Sequence, residues 1–262
     1  MPKIWTIVDK EWAEVFKNRL VLFTVGFMPI LFTALPLLMV AIGGSQADLG
    51  GDATDIPAQF MEMCGDLTGT ACFTLMMVNQ FLLLFMMLPL IIPITIAAYS
   101  IVGEKTTRCL EPLLATPITT AELLIGKSLA ALIPGVLATW LSFGVFAVIA
   151  YIMVQSPELL RRILDPMWIT AITLVGPLLA LAGINVTLMV SSRVSDPRTA
   201  EQASMMLVLP LLGIFFAQIA GVLLVNAQVM QLAAVILLAI DAGLVSLGVR
   251  VFQREAILTK WK

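Results

Sequence analysis

The chain is 262 residues long, 60% apolar and only 12% charged, with fifteen Lys and Arg against seventeen Asp and Glu and a formal net charge of −2. So small a polar fraction cannot cover a soluble domain of this size, and the absence of a basic excess argues against a nucleic-acid partner. His is absent altogether, which excludes His-based general-base catalysis and any His-ligated metal.

At the N-terminus Ile4, Val8, Trp12, Val15 and Phe16 recur at three- and four-residue steps, while Lys3, Lys10, Glu14 and Lys17 take other faces. This spacing predicts an amphipathic helix within 1–19, lying on a bilayer surface with its Trp residues at headgroup depth. Six apolar runs follow, at about Leu20–Ile42, Val78–Val102, Ser128–Val154, Met167–Val190, Ala203–Val225 and Val229–Val249. Each is long enough to cross the hydrocarbon as a helix, which takes roughly 20 residues. The predicted fold class is therefore all-α: a polytopic membrane protein of six transmembrane helices, forming one transmembrane domain over 1–262. The first run is too long and too broken by Pro for a cleavable signal peptide. The last two nearly touch, so a tight turn is expected at 226–231.

Basic residues then set the orientation. Lys3, Lys10, Lys17, Arg19, Lys105, Arg108, Lys127, Arg193, Arg198, Arg250, Arg254, Lys260 and Lys262 all fall on one side of the six-span scheme, leaving only Arg161 and Arg162 on the other. Lys and Arg are retained in the cytoplasm during insertion, so both termini are expected there. The outer segments carry Asp48, Asp52, Asp55, Glu62, Asp66, Glu158 and Asp165. Cys64 and Cys72 also fall outside, where they either pair or remain thiols, and Cys109 is expected as a cytoplasmic free thiol.

The longest cytoplasmic connection is 103–127. Gly103 is placed to end the second span as a left-handed cap. Leu110, Leu113 and Leu114 form the apolar edge of a short helix whose other edge carries Lys105, Arg108 and Glu111. Pro117 stops that helix, and Thr119 with Glu122 makes a capping box that starts the third span. In the next cytoplasmic loop Asp196 and Pro197 read as N-cap and first position of another helix. The stretch from Ala121 to Ser128 ends in Gly126–Lys127–Ser128 but lacks the first Gly, the flexible loop and the preceding strand of a phosphate-binding loop, so nucleotide binding here is not expected. Gly126 and Lys127 mark the membrane entry of the third span instead.

Asp241 is the one ionisable residue inside an expected span, near the midplane, where a charge costs at least about 2.5–3.5 kcal/mol. It is either neutral and hydrogen-bonded, with Asn79, Gln80, Asn185, Thr187 and Gln218 as available partners, or it faces an ion or substrate path. Gly213, Ala217 and Gly221 recur every four residues in the fifth span and make a smooth stripe for close helix approach, within the subunit or between two subunits. The Met residues read as packing filler, and no metal site emerges.

The runs Gly103–Glu104–Lys105, Leu110–Glu111–Pro112–Leu113–Leu114–Ala115–Thr116–Pro117, Glu122–Leu123–Leu124 and Gly126–Lys127 resemble the stretch between the second and third spans of type-2 ABC transporter permeases, in the sodium-extrusion-like branch. Ser192–Arg193–Val194, Arg198, Ala200 and Gln202 look like that branch's second cytoplasmic loop. The branch often carries a large outer domain after its first span, whereas this chain has about thirty residues there. The resemblance implies a permease, not itself an enzyme, in a cell membrane, plasma or inner, of a prokaryote. It implies a second permease copy or paralogue, meeting partly through Gly213, Ala217 and Gly221, and a separate cytoplasmic ATPase that holds ATP and Mg, with no cofactor bound by this chain. Glu104, Lys105, Arg108, Leu110, Glu111, Leu113, Leu114, Arg193 and Arg198 become the expected ATPase-coupling residues. An ion-coupled secondary transporter using Asp241 and a non-transporting membrane scaffold are the alternative functions.

Overall fold

A computed structural model describes residues 2–45, 64–65, 67, 69–106, 119–154 and 156–251. Among them every regular element is helical, and six helical stretches are long and apolar enough to cross a membrane. Helix α1 (Pro2–Val15) precedes the first span, α2 (Arg19–Ser45), whose first turn is capped by Asn18 Oδ1 accepting from Leu20 N at 2.9 Å. The second span is α3 (Gly69–Phe85) followed by α4 (Leu88–Thr106), and the third is α5 (Thr120–Met153). The fourth is assembled from α6 (Pro157–Ile163), α7 (Pro166–Thr170), a π turn over Ala171–Val175 and α8 (Gly176–Ser191). The fifth comprises α9 (Pro197–Ser204), a 3-10 turn and α10 (Val208–Ile219), and the sixth is α11 (Ala227–Val251).

The second span is the post around which the others stand. Its most apolar window is 83% buried inside the protein, against 22% for the first and third spans, 11% for the fifth and 17% for the sixth. Small residues let neighbours approach it: a Cβ on Gly183 would lie 2.9 Å from Leu90 Cδ1, and one on Gly135 would overlap the Pro93 ring. The post is broken at Met86–Met87, where Met86 N bonds Leu83 O at 3.1 Å and Met87 N bonds Leu84 O at 2.9 Å before α4 begins at Leu88, with Pro89 in its first turn.

Proline also explains the π turn. Gly176 N reaches back five residues to Ala171 O, and Pro177 has no N–H to offer the following carbonyl, that of Ile172. The indole of Trp140, on the third span, donates to Ile172 O at 3.2 Å and satisfies it. Within a bilayer each backbone carbonyl needs a partner from the protein itself, and here a neighbouring side chain supplies it.

Contacts sort the connections onto two ends. At the first, the basic end, Trp12 Nε1 donates to Ala130 O at 2.9 Å, Thr95 Oγ1 donates to Glu201 Oε1 at 2.6 Å, and Ala98, Val102 and Ala200 pack together with Val190 and Val194. At the other, the acidic end, Cys64 and Cys72 are joined in a disulfide with Cα atoms 5.2 Å apart, and Arg162, Asp165, Val225 and Asn226 line common cavities.

Several boundaries differ from expectation. The second span begins at Gly69 and the fourth at Pro157, each earlier than its most apolar stretch suggests; the Cys64–Cys72 disulfide ties the first turn of the second, and Ser156 caps that of the fourth. Gly103 lies inside α4 and does not end it, since one Gly costs a helix only about 1 kcal/mol. The turn before the sixth span occupies 220–226 and not 226–231: Asn226 Oδ1 accepts from Val229 N at 2.9 Å and caps α11, so the residues after it are helical. The capping box of Thr119 and Glu122 and the Asp196 cap with Pro197 are both present as read from sequence.

Candidate functional site

The basic end brings α1, the end of α4 and the start of α5 together around a buried charge. Helix α1 packs its Ile7, Val8, Glu11 and Val15 face against protein, and a Cβ on Gly126 would sit 2.8 Å from Ile7 Cγ2, so the two helices touch at that glycine. One residue on, Lys127 Nζ donates to Glu11 Oε1 at 2.6 Å and to Ser100 Oγ at 3.1 Å, while Ser100 Oγ donates to Glu11 Oε2. The side chains of Lys127 and Glu11 are only 4% and 1% exposed. Charges this deeply withdrawn from water are tolerated when paired and hydrogen-bonded on all sides, which Ser100 completes here by bridging acid and base.

The location matters more than the energy. Segment 103–127 leaves α4 and enters α5, and Ser100 and Lys127 stand at its two feet. The triad therefore clamps both feet to each other and to the N-terminal helix. Lys127, read from sequence as marking the membrane entry of the third span, stands in the second turn of α5 as part of this core.

Of the residues assigned to ATPase coupling, Glu104 and Lys105 lie in the last turn of α4, and Arg108, Leu110, Glu111, Leu113 and Leu114 lie outside the described residues. Arg193 and Arg198 are exposed at the same end, on either side of the α9 cap. Val194 beside them packs on Ala98 and Val102, which holds the second basic-end loop against the foot of the first.

The stripe in the fifth span is only partly a stripe. Gly213 is exposed, with nothing within 4 Å of the position a Cβ would take, and Ala217 is half-buried. Gly221 is past the helix end: its φ of 68° is left-handed, Gly221 N bonds Gln218 O at 3.0 Å and Val222 N bonds Ala217 O at 2.9 Å. This is a glycine terminator of α10, so the spacing of four that included Gly221 came from a helix stop.

Asp241 is buried at 7% exposure, and neither carboxylate oxygen has a hydrogen-bond partner among the described residues. Three of the five expected partners are engaged elsewhere: Asn79 Oδ1 accepts from Trp168 Nε1 at 2.7 Å, Gln80 Nε2 donates to Phe215 O at 3.1 Å, and Thr187 Oγ1 donates to Gly183 O at 2.7 Å. Gln218, buried too, leaves its own Oε1 unpaired among the described residues.

Sequence reasoning missed Glu11 and Ser100. One signal for Glu11 existed, since it follows Ile7 by four residues and precedes Val15 by four, an acid on the apolar face of an amphipathic helix.

Residues 5–242 match the family model described as ABC-2 family transporter protein. The chain is also 31% identical over 158 residues to the probable ABC transporter permease protein NosY of Pseudomonas aeruginosa, covering 60% of this chain and 49% of that protein. The chain thus spans about half the length of that curated relative. With six membrane-crossing helices and a family match over nearly its whole length, the chain belongs to the ABC-2 family of transporter proteins, as a multi-pass membrane protein.

Proposed function

We propose that this chain is the permease subunit of an ATP-driven exporter, working as a dimer with a separate cytoplasmic ATPase that docks on the basic end and holds the ATP and Mg. Family membership supports a role in an ABC transporter, and the relative's name says permease of that protein. The single observation that carries the docking assignment is the clamp of Glu11, Ser100 and Lys127. A segment that receives a push from an ATPase transmits it only if its feet are fixed to the spanning helices, and here both feet are tied to one buried ion pair. The concentration of Lys and Arg at that end supports a cytoplasmic location for it.

The test is nucleotide-dependent transport in reconstituted vesicles, with and without the ATPase. Transport that requires both chains and ATP supports this reading. Transport driven by an ion gradient without the ATPase would establish the secondary-transporter alternative, and no transport under either condition would favour a scaffold.

A further inference from the structure

We propose that the acidic end carries a binding site for a phosphate group on an amphiphile, held by Arg161 and Arg162. These are the only two basic residues that the six-span scheme leaves on this side, and both line the same open cavity of about 440 Å³. Neither forms an ion pair with an acid among the described residues, although Glu158 and Asp165 line that cavity with them. Asp165 is already committed, its Oδ1 accepting from Met167 N at 2.7 Å as the cap of α7.

Arg162 lies over a glycine. Its Nη2 lies 2.6 Å from the position a Cβ on Gly65 would take, and Gly65 has a φ of 56° next to Cys64, which the disulfide to Cys72 fastens to α3. Any other residue at position 65 would displace the guanidinium, so the backbone there makes room for it. Two guanidiniums that line one cavity, without carboxylate partners among the described residues, offer forked donors matched to the oxygens of a phosphate.

The ligand class follows from depth and lining. Arg161 and Arg162 lie four and five residues beyond Pro157, where the fourth span begins, so within roughly 6–8 Å of its end and at the level of lipid phosphates. A second cavity of about 240 Å³ shares Arg162 and Asp165 with the first and continues past Leu75, Met167 and Val225. A charged mouth that leads past these apolar side chains, with Asn79 and Asn226 beside them, suits a phosphate-bearing molecule with a hydrocarbon part. The site does not depend on the exporter reading, because a lipid regulator and a transported amphiphile would use the same chemistry.

The experiment measures binding of dihexanoyl phosphatidic acid and, separately, of inorganic phosphate to the purified full-length permease in nonionic detergent. Arg161→Gln/Arg162→Gln is expected to weaken phosphatidic acid binding about tenfold or more, and Lys17→Gln, an exposed charge at the other end, to leave it unchanged. Phosphatidic acid binding without measurable phosphate binding supports the amphiphile; comparable binding of both assigns the site to free phosphate and overturns the amphiphile. Should the double variant not purify as a monodisperse protein, Arg162→Lys keeps the charge, loses the fork, and is expected to weaken binding about threefold. Absence of binding to the unsubstituted protein, or binding indifferent to these substitutions, overturns the proposal.

Discussion

Two buried ionisable sites stand in this protein under opposite conditions. At the basic end Lys127 and Glu11 meet each other and Ser100, so each charge is matched. In the sixth span Asp241 is almost as deeply buried and neither of its oxygens meets a donor among the described residues. A matched buried pair fixes the geometry of whatever it joins, and here it joins α1, α4 and α5. A buried carboxyl with no donor opposite it among the described residues fixes no geometry of this kind.

The largest effect expected from breaking this contrast is at the pair. Lys127→Met strands the Glu11 carboxylate in the core and should lower stability by about 3–5 kcal/mol, whereas Glu11→Met/Lys127→Met replaces both charges with apolar side chains and should recover most of it. Thermal unfolding in detergent checks both, and a harmless single substitution would show that the pair is not buried in the folded protein. Asp241→Asn should behave in the opposite sense, leaving thermal stability unchanged or slightly raised because no partner among the described residues is lost. A loss approaching that of Lys127→Met would mean Asp241 has a strong partner, and the contrast would vanish. Measured in the same variant, a complex that hydrolyses ATP yet moves no substrate would put Asp241 in the pathway.

The fifth span provides a smaller effect with two separable parts. Gly213→Leu meets open space in the subunit and should leave its stability intact while reducing dimer cross-linking. Gly221→Ala should cost the subunit about 1 kcal/mol through its left-handed φ, with little effect on cross-linking. Equal responses from both glycines would restore the continuous stripe expected from spacing.

Much of this was readable beforehand, for identifiable reasons. Six spans follow from apolar runs whose length is set by bilayer thickness, and the Thr119 and Asp196 caps follow from side chains that satisfy local backbone donors. Information that lies far apart in the chain was not readable. Glu11 is conspicuous on its helix face, yet its partner is 116 residues away. The π turn depends on Pro177 together with an indole from another span. Gly221 misled because small residues serve close packing and helix termination equally well, and only the backbone φ separates the two. Whether Cys64 and Cys72 pair was also open in sequence, and the structure joins them.

The claim that the basic end faces the ATPase is tested most directly by site-specific photocross-linking in the assembled complex. A photoreactive residue at Lys105, beside the clamped feet, should cross-link to the ATPase, and one at Glu158, on the acidic end, should not. A cross-link from Glu158 with none from Lys105 would contradict the account.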